Sequence, residues 1–142
     1  MNILKVLTKR REIGNRGELA AAKYIKRRGF KIREKNYVAL GAEVDIIAEN
    51  KEYLLFIEVK TRTAGKTNPK EPRPASAVTP EKQRTIIKVA QYYIAYYKQK
   101  KKIRLDIIEV LVDENMRPIS INHMENAFTR DSCPLSRRKE TK

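Results

Sequence analysis

Two short apolar runs separated by a polar tetrad are the clearest pattern in the chain. Val44–Ala48 and Tyr53–Val59 are rich in β-branched and aromatic residues, and they flank Glu49–Glu52. Apolar runs of this kind on either side of a polar turn are typical of a β-hairpin. The pattern therefore predicts a hairpin with a two-residue loop at Asn50 and Lys51.

Apolar spacing elsewhere predicts helices and further strands. Ala21, Ala22 and Ile25 follow Glu18 at the spacings of one helical face, and Gly29 is a typical helix stop. Thr79 and Pro80 are a typical helix start. The predicted elements are a helix over 15–28, a strand over 30–38, the hairpin, a helix from 79 to about 98, and strands over 103–112 and 118–121. This order predicts an α/β sandwich with a mixed sheet and a helix on each side.

Three charged residues of the hairpin share one predicted face. Asp45 lies on the first strand, and Glu58 and Lys60 lie on the second. Because side chains alternate between the two faces of a strand, the three are predicted to share one face of the hairpin. With the predicted loop, Asp45 lies opposite Phe56 and diagonal to Glu58. A register slipped by one residue would separate these groups onto opposite faces.

Carboxylate oxygens gathered in this way suit octahedral Mg²⁺ or Mn²⁺ better than zinc or copper. A metal there could activate water against a phosphodiester, with Lys60 offsetting the charge that develops. The alternative is that the three residues form weak ion pairs on an exposed face, since 35% of the chain is charged. Glu18 either caps its helix or looks into the same polar pocket.

The net charge of the chain indicates which class of partner it binds. There are 32 Lys and Arg against 17 Asp and Glu, a net charge of +15, which favours a polyanion such as nucleic acid. No apolar run approaches the ~20 residues needed to span a bilayer, so we expect a cytoplasmic protein without a membrane partner. The single Cys133 excludes an internal disulfide, and His123 is expected to be a surface or turn residue.

The segment from Thr63 to Val78 combines several Pro residues with Lys and Arg, and it is predicted to be a long loop. It is either a clamp for backbone phosphates or a solvated linker. The tyrosines near the end of the second helix are expected to pack in the core and at its rim, and we do not interpret them as a base-stacking platform.

The chain resembles the YraN family. The resemblance rests on Gly17-Glu18, Asn36, the run Glu43–Ala48, the run Phe56–Arg62, and Ala77-Val78 before Lys82, and it covers roughly residues 12 to 112. That family is described as having a restriction-endonuclease-like fold of the PD-(D/E)xK type and as similar to archaeal Holliday junction resolvases. The resemblance implies a three-layer sandwich and a nuclease-like domain over 13–124. The sequence pattern itself predicts a flexible, at most weakly helical basic lead-in over 1–12 and a disordered tail over 125–142.

The resemblance also implies roles for individual residues. Asp45 and Glu58 would be metal ligands for Mg²⁺ or Mn²⁺, Lys60 the lysine that orients water, and Glu18 the helix carboxylate that completes the pocket. Secondary pocket candidates are Lys82 and Gln83, although a satisfied glutamine at a helix start is the simpler interpretation of Gln83. The candidates for DNA contact are Arg62, Lys66, Lys70 and Arg73.

Two functions remain open from the sequence. The first is a metal-dependent endonuclease acting on DNA, including branched or structured DNA. The second is a non-catalytic nucleic-acid-binding protein or an RNA- or ribosome-associated scaffold. Because resolvases usually act as symmetric dimers, the resemblance also raises a homodimer, with the strand after Ile103 or the tyrosine-rich helix as its interface. Ala42, Val38 and the loop after Arg62 depart from the family pattern, which weakens the substrate assignment more than the catalytic one.

Overall fold

The computed structural model describes residues 2–65 and 78–129. These residues form a sheet of five strands in the spatial order β1-β2-β3-β4-β5, with one helix packed on each face. The elements are α1 (Ile3–Arg27), β1 (Lys31–Ala39), β2 (Ala42–Glu49), β3 (Tyr53–Thr63), α2 (Pro80–Tyr97), β4 (Lys102–Val112) and β5 (Pro118–Met124). The predicted three-layer α/β sandwich with a mixed sheet is confirmed.

The sheet is mixed because α2 carries the chain between β3 and β4. These two strands pair in parallel, whereas the other neighbouring strands pair antiparallel. The central strand β3 is buried on both faces. Leu54 and Phe56 pack toward α2, while Leu55 and Ile57 pack toward α1. This explains why the second apolar run is nearly continuous instead of alternating with polar residues.

The hairpin between β2 and β3 is confirmed, but its predicted loop is wrong by one residue. The loop residues are Lys51 and Glu52, because the Asn50 amide donates to the Tyr53 carbonyl at 3.0 Å. The Asn50 side chain also accepts hydrogen bonds from the amides of Glu52 and Tyr53. Asn50 is therefore the residue that opens the turn, as short polar side chains often do.

Moving the loop by one residue changes the strand register by two. Phe56 lies opposite Ile47, and not opposite Asp45 as predicted. Because strand side chains repeat every two residues, a shift of two keeps each side chain on its original face.

The first helix begins much earlier than predicted. It starts at Ile3 and not at Asn15, with the Asn2 side chain accepting a hydrogen bond from the Leu4 amide. Residues 3–12, for which a flexible lead-in was expected, are thus helical. Its end agrees with the prediction, since Gly29 adopts a φ of 92° directly after the last turn.

The packed part of the chain also extends past residue 124, where the folded domain was predicted to end. Phe128 is buried in the core beneath α2, and the Ala127 amide donates to the Leu105 carbonyl. Cys133 and most of the predicted long loop lie outside the described residues. Neither α1 nor α2 combines the length and apolar character required to cross a bilayer.

Candidate functional site

The candidate site lies where β2 and β3 stop pairing through their backbones. The last backbone pair of this ladder is Ile46 with Ile57. Beyond it, the Asp45 carboxylate accepts a hydrogen bond from the Val59 amide at 2.8 Å. A side-chain carboxylate thus takes the place of a backbone carbonyl, which anchors Asp45 against β3.

Asn36 lies opposite Asp45 on the neighbouring strand β1. It has a φ of 50°, in the left-handed region that Asn tolerates better than most residues. At this point the alternation of side chains on β2 is reset, since Val44 packs in the core under α2 and Ile46 in the core under α1. Asp45 sits at the change of face, where it can influence groups on both sides of the sheet.

Glu58 is almost buried, with 7% of its surface exposed. Its Oε1 lies 3.6 Å from the Lys60 ammonium. Its Oε2 is buried and has no hydrogen-bond partner among the described residues. A buried carboxylate oxygen without a partner is costly, so this atom is free to bind a cation.

Burial disfavours the charged forms of both carboxyls, and the charge of Glu58 adds to this effect at Asp45. Burial, followed by the charge of Glu58, raises the pKa of Asp45 to about 7, against the opposing hydrogen bond from the Val59 amide. Burial likewise raises the pKa of Glu58, although the nearby ammonium groups of Lys82 and Lys60 counteract it. Both carboxyls are therefore protonated more easily than ordinary ones, and a bound cation would stabilise their charged forms.

A divalent metal fits this donor set. Asp45 and Glu58 supply hard carboxylate oxygens, one of them unpartnered, and a bound cation would relieve the repulsion between them. Within residues 2–65 and 78–129, no three His, Cys, Asp or Glu side chains form a complete ligand group. Mg²⁺ is usually held by one or two carboxylates together with waters and substrate phosphates, and Asp45 and Glu58 would supply two carboxylates.

Glu18 connects two cavities beside the carboxylate pair. One, of about 260 Å³, also contains Asp45 and Lys35 in its lining, and the other, of about 360 Å³, also contains Lys60 and Arg10. The Glu18 carboxylate accepts a hydrogen bond from the Asn36 side chain at 3.2 Å. Its charge also contributes to the raised pKa of Asp45. Of the two interpretations of Glu18 from the sequence, this geometry favours the polar pocket.

Gly17 allows α1 to approach the sheet closely enough for Glu18 to reach the pocket. A Cβ atom at residue 17 would collide with the Thr61 side chain on β3. Close packing of this kind is a physical reason for a glycine inside a helix, where it otherwise weakens the structure.

The secondary candidates differ in where the structure places them. Lys82 lies near the pocket, because its ammonium is 3.5 Å from the Glu43 carbonyl and lowers the pKa of Glu58. Gln83 instead donates to the Val78 carbonyl at 2.9 Å, so it is a satisfied glutamine at the start of α2. Arg62 forms an ion pair with Glu109 at 2.9 Å. Lys66, Lys70 and Arg73 lie outside the described residues.

Sequence reasoning missed two cations that line the cavities, Arg10 and Lys35. Arg10 was assigned to the flexible lead-in, and Lys35 was one of many lysines in a charged strand. The spacing of Arg10 relative to Gly14, Gly17 and Ala21 would have identified it, because these positions share one helical stripe.

The expectation that His123 is a surface or turn residue is wrong. It lies in β5 with 5% of its side chain exposed, and its Nε2 is 2.7 Å from Asp106 Oδ2. Its Nδ1 is 3.0 Å from the Tyr24 hydroxyl of α1. Asp106 is fully buried and also accepts hydrogen bonds from Arg104 and from the Asn126 amide. This network joins α1 to β4 and β5 at a distance from the carboxylate pair.

Comparisons with known proteins agree on one family. The sequence model of "Uncharacterised protein family UPF0102" matches residues 17–110. A UPF0102 protein of Caldanaerobacter subterraneus subsp. tengcongensis is 40% identical over 121 residues, covering 84% of this chain and 96% of the relative. A UPF0102 protein of Dictyoglomus thermophilum is 41% identical over 119 residues, covering 83% and 98%. One of Geobacter metallireducens is 38% identical over 119 residues, covering 83% and 93%. These names give a family and no activity.

Proposed function

This chain belongs to the uncharacterised protein family UPF0102, the YraN family of the sequence resemblance, and we propose that it is a metal-dependent endonuclease that hydrolyses DNA phosphodiester bonds. The observation that carries the proposal is the carboxyl pair of Asp45 and Glu58 beside Lys60, in which the buried Oε2 of Glu58 has no hydrogen-bond partner among the described residues. Burial and the charge of Glu58 raise the pKa of Asp45, and burial raises that of Glu58, so a bound cation would stabilise the charged forms of both carboxyls.

Each residue of the site has a role in this proposal. Asp45 and Glu58 hold Mg²⁺ or Mn²⁺, and the Val59 amide fixes the orientation of the Asp45 carboxylate. The metal, when bound, would polarise a phosphodiester oxygen and lower the pKa of the attacking water. Lys60, held next to Glu58, donates hydrogen bonds toward that water and offsets charge on the reacting phosphate.

Glu18 completes the pocket from the side of α1. Asn36 fixes one of its carboxylate oxygens, and the other is positioned to accept a proton from a water or to bind a second cation. Both proposed roles of Glu18 depend on the close approach of α1 at Gly17.

DNA is the substrate that the charge and the family resemblance support. The excess of cations would give salt-dependent affinity for the phosphate backbone. The similarity of the YraN family to resolvases makes four-way junctions the first branched substrate to examine, with a symmetric dimer as the corresponding assembly.

The deciding experiment measures cleavage of plasmid, linear, single-stranded and four-way-junction DNA in Mg²⁺, Mn²⁺ or EDTA. Wild type is compared with Asp45→Ala and Glu58→Ala, and with Glu114→Ala as a control that removes an exposed carboxylate elsewhere. We expect cleavage that requires metal, is lost in both site variants and is retained in the control. DNA binding without any cleavage by wild type would favour the non-catalytic nucleic-acid-binding function instead.

A further inference from the structure

The first half of α1 extends beyond the sheet. The first buried residue of the helix is Gly17, and none of the residues from Ile3 to Arg16 is buried. We call Ile3–Arg16 the N-terminal arm. Ile13 is the first residue of the arm that packs against the core, so at 1.5 Å per residue Ile3–Glu12 extends about 15 Å past that contact.

The arm is strongly basic on a short length of helix. It carries four cations before its first acidic residue, Glu12, which lies 3.6 Å from Arg16. Within residues 2–65 and 78–129, none of these four has an acidic partner: Lys5, Lys9, Arg10 and Arg11. Their charge is therefore available to a ligand.

Arg10 differs from its neighbours in the direction that it faces. It lies on the same helical stripe as Gly14, Gly17 and Ala21, which is the side of α1 that faces the sheet. Lys9 lies about 100° away around the helix, on the stripe of Arg16 that continues along the exposed face.

Arg10 reaches the candidate site itself. It lines the cavity of about 360 Å³ that also contains Glu18 and Lys60. Within residues 2–65 and 78–129, Arg10 lies beside the site but forms no ion pair with a carboxylate. Such a group can hold a phosphate next to the one that reacts.

We propose that the N-terminal arm binds the phosphate backbone of duplex DNA, and that Arg10 is a positioning residue that binds a phosphate adjacent to the scissile one. This inference rests on the proposed function. The ligand is chosen by charge complementarity, since Arg10 offers a planar guanidinium that matches a phosphate diester. Binding of this adjacent phosphate by Arg10 would align the scissile phosphate with Lys60 and the carboxylates of Asp45 and Glu58.

The test measures affinity for a fluorescein-labelled DNA duplex by anisotropy over a series of salt concentrations, with Ca²⁺ in place of Mg²⁺. Arg10→Gln is compared with Lys9→Gln, which removes the same charge from the adjacent position. We expect Arg10→Gln to weaken binding about tenfold and to reduce the slope of log affinity against log salt by about 1. Lys9→Gln should change affinity by less than about twofold, and Arg10→Lys should keep the salt slope while losing part of the affinity.

Equal effects of Arg10→Gln and Lys9→Gln would overturn the proposal, as would a wild type that does not bind duplex DNA. The exposed Leu4 and Leu7 of the arm suit an anionic membrane instead. Loss of sedimentation with phosphatidylglycerol vesicles in Arg10→Gln, with unchanged DNA affinity, would therefore also overturn it.

The design separates this inference from the proposed function. If wild type binds DNA through Arg10 but cleaves no substrate, the inference about the N-terminal arm stands and the proposed nuclease function is wrong. If wild type cleaves DNA and Arg10→Gln changes neither the affinity for DNA nor KM, the proposed nuclease function stands and the inference about the N-terminal arm is wrong.

Discussion

The Asp45 carboxylate and the Val59 amide are joined by a hydrogen bond of 2.8 Å, at the point where the backbone ladder between β2 and β3 has ended. This hydrogen bond holds the Asp45 carboxylate in place and opposes the effect of burial on its pKa. The charge of Glu58 nevertheless adds to burial in raising the pKa of Asp45.

We expect the stability of the metal-free protein to depend on Asp45. The folded pKa of about 7 lies above the ordinary value of 3.8, so this group contributes full stability below about pH 4 and loses it as the pH rises through about 7. In urea unfolding with EDTA, the loss should be roughly 1–3 kcal/mol after allowing for solvent relaxation. Asp45→Asn should lack this pH dependence, and Mg²⁺ should restore the stability of wild type alone at about pH 8. An identical pH profile for the two proteins would contradict the assignment.

Lys60→Gln should separate metal binding from catalysis. Removing a cation 3.6 Å from Glu58 favours a divalent metal, so its dissociation constant should fall a few-fold. Loss of the group that offsets charge on the phosphate should lower kcat by about 10²–10³. Mn²⁺ titration by calorimetry and single-turnover cleavage measure the two effects. Lys88→Gln, a change on the exposed face of α2, should alter neither.

Two glycines of α1 should respond to alanine in opposite directions. Gly17→Ala should lower the free energy of unfolding by about 1–3 kcal/mol, because its Cβ overlaps Thr61. Gly14→Ala has open space around the added Cβ and should raise it by about 0.5–1 kcal/mol, the usual gain within a helix. Chemical denaturation measures both. Partial recovery of Gly17→Ala by Thr61→Ala would identify the collision, and destabilisation of both variants would contradict it.

Asp106 should stabilise the protein most strongly near neutral pH. Burial alone would raise the pKa of Asp106, but hydrogen bonds from His123, Arg104 and the Asn126 amide outweigh burial and lower it. A depressed pKa stabilises the fold above the unfolded value of 3.8, and this contribution is lost as the pH falls through the folded pKa. Asp106→Asn should cost about 3–5 kcal/mol at neutral pH, because Arg104 would lose its buried partner, and it should flatten the acid limb of the stability curve. Glu114→Gln, an exposed change, should leave both unchanged.

Local pattern was sufficient to predict most of the fold. The hairpin and the helix start at Thr79 and Pro80 rest on turn and capping chemistry, which acts over a few residues. The loop shift from Asn50 to Lys51 did not affect the grouping of Glu58 with Lys60, because both residues lie two positions apart on β3.

Other features depend on contacts that one segment cannot reveal. Residues 3–12 carry apolar residues at helical spacing, but none of them is buried, and the pattern alone indicated no more than a weakly helical lead-in. Asn36 is left-handed, and Val44 and Ile46 of the neighbouring β2 pack on opposite sides of the sheet, which strict periodicity does not anticipate. His123 is buried by Tyr24, 99 positions earlier in the chain, and such a partner is invisible to local reasoning.

The β2–β3 hairpin has a consequence for the order of folding. Asp45 and Glu58 come together through a loop of two residues, whereas the parallel pairing of β3 with β4 requires the chain to travel through α2 first. Hairpins close in about 1–10 μs, and pairings between distant segments form more slowly. The two acidic groups are thus expected to meet while water still surrounds them, before the helices dock. Their repulsion then accumulates late in folding, as solvent leaves, and a divalent cation present at that stage would accelerate the final collapse.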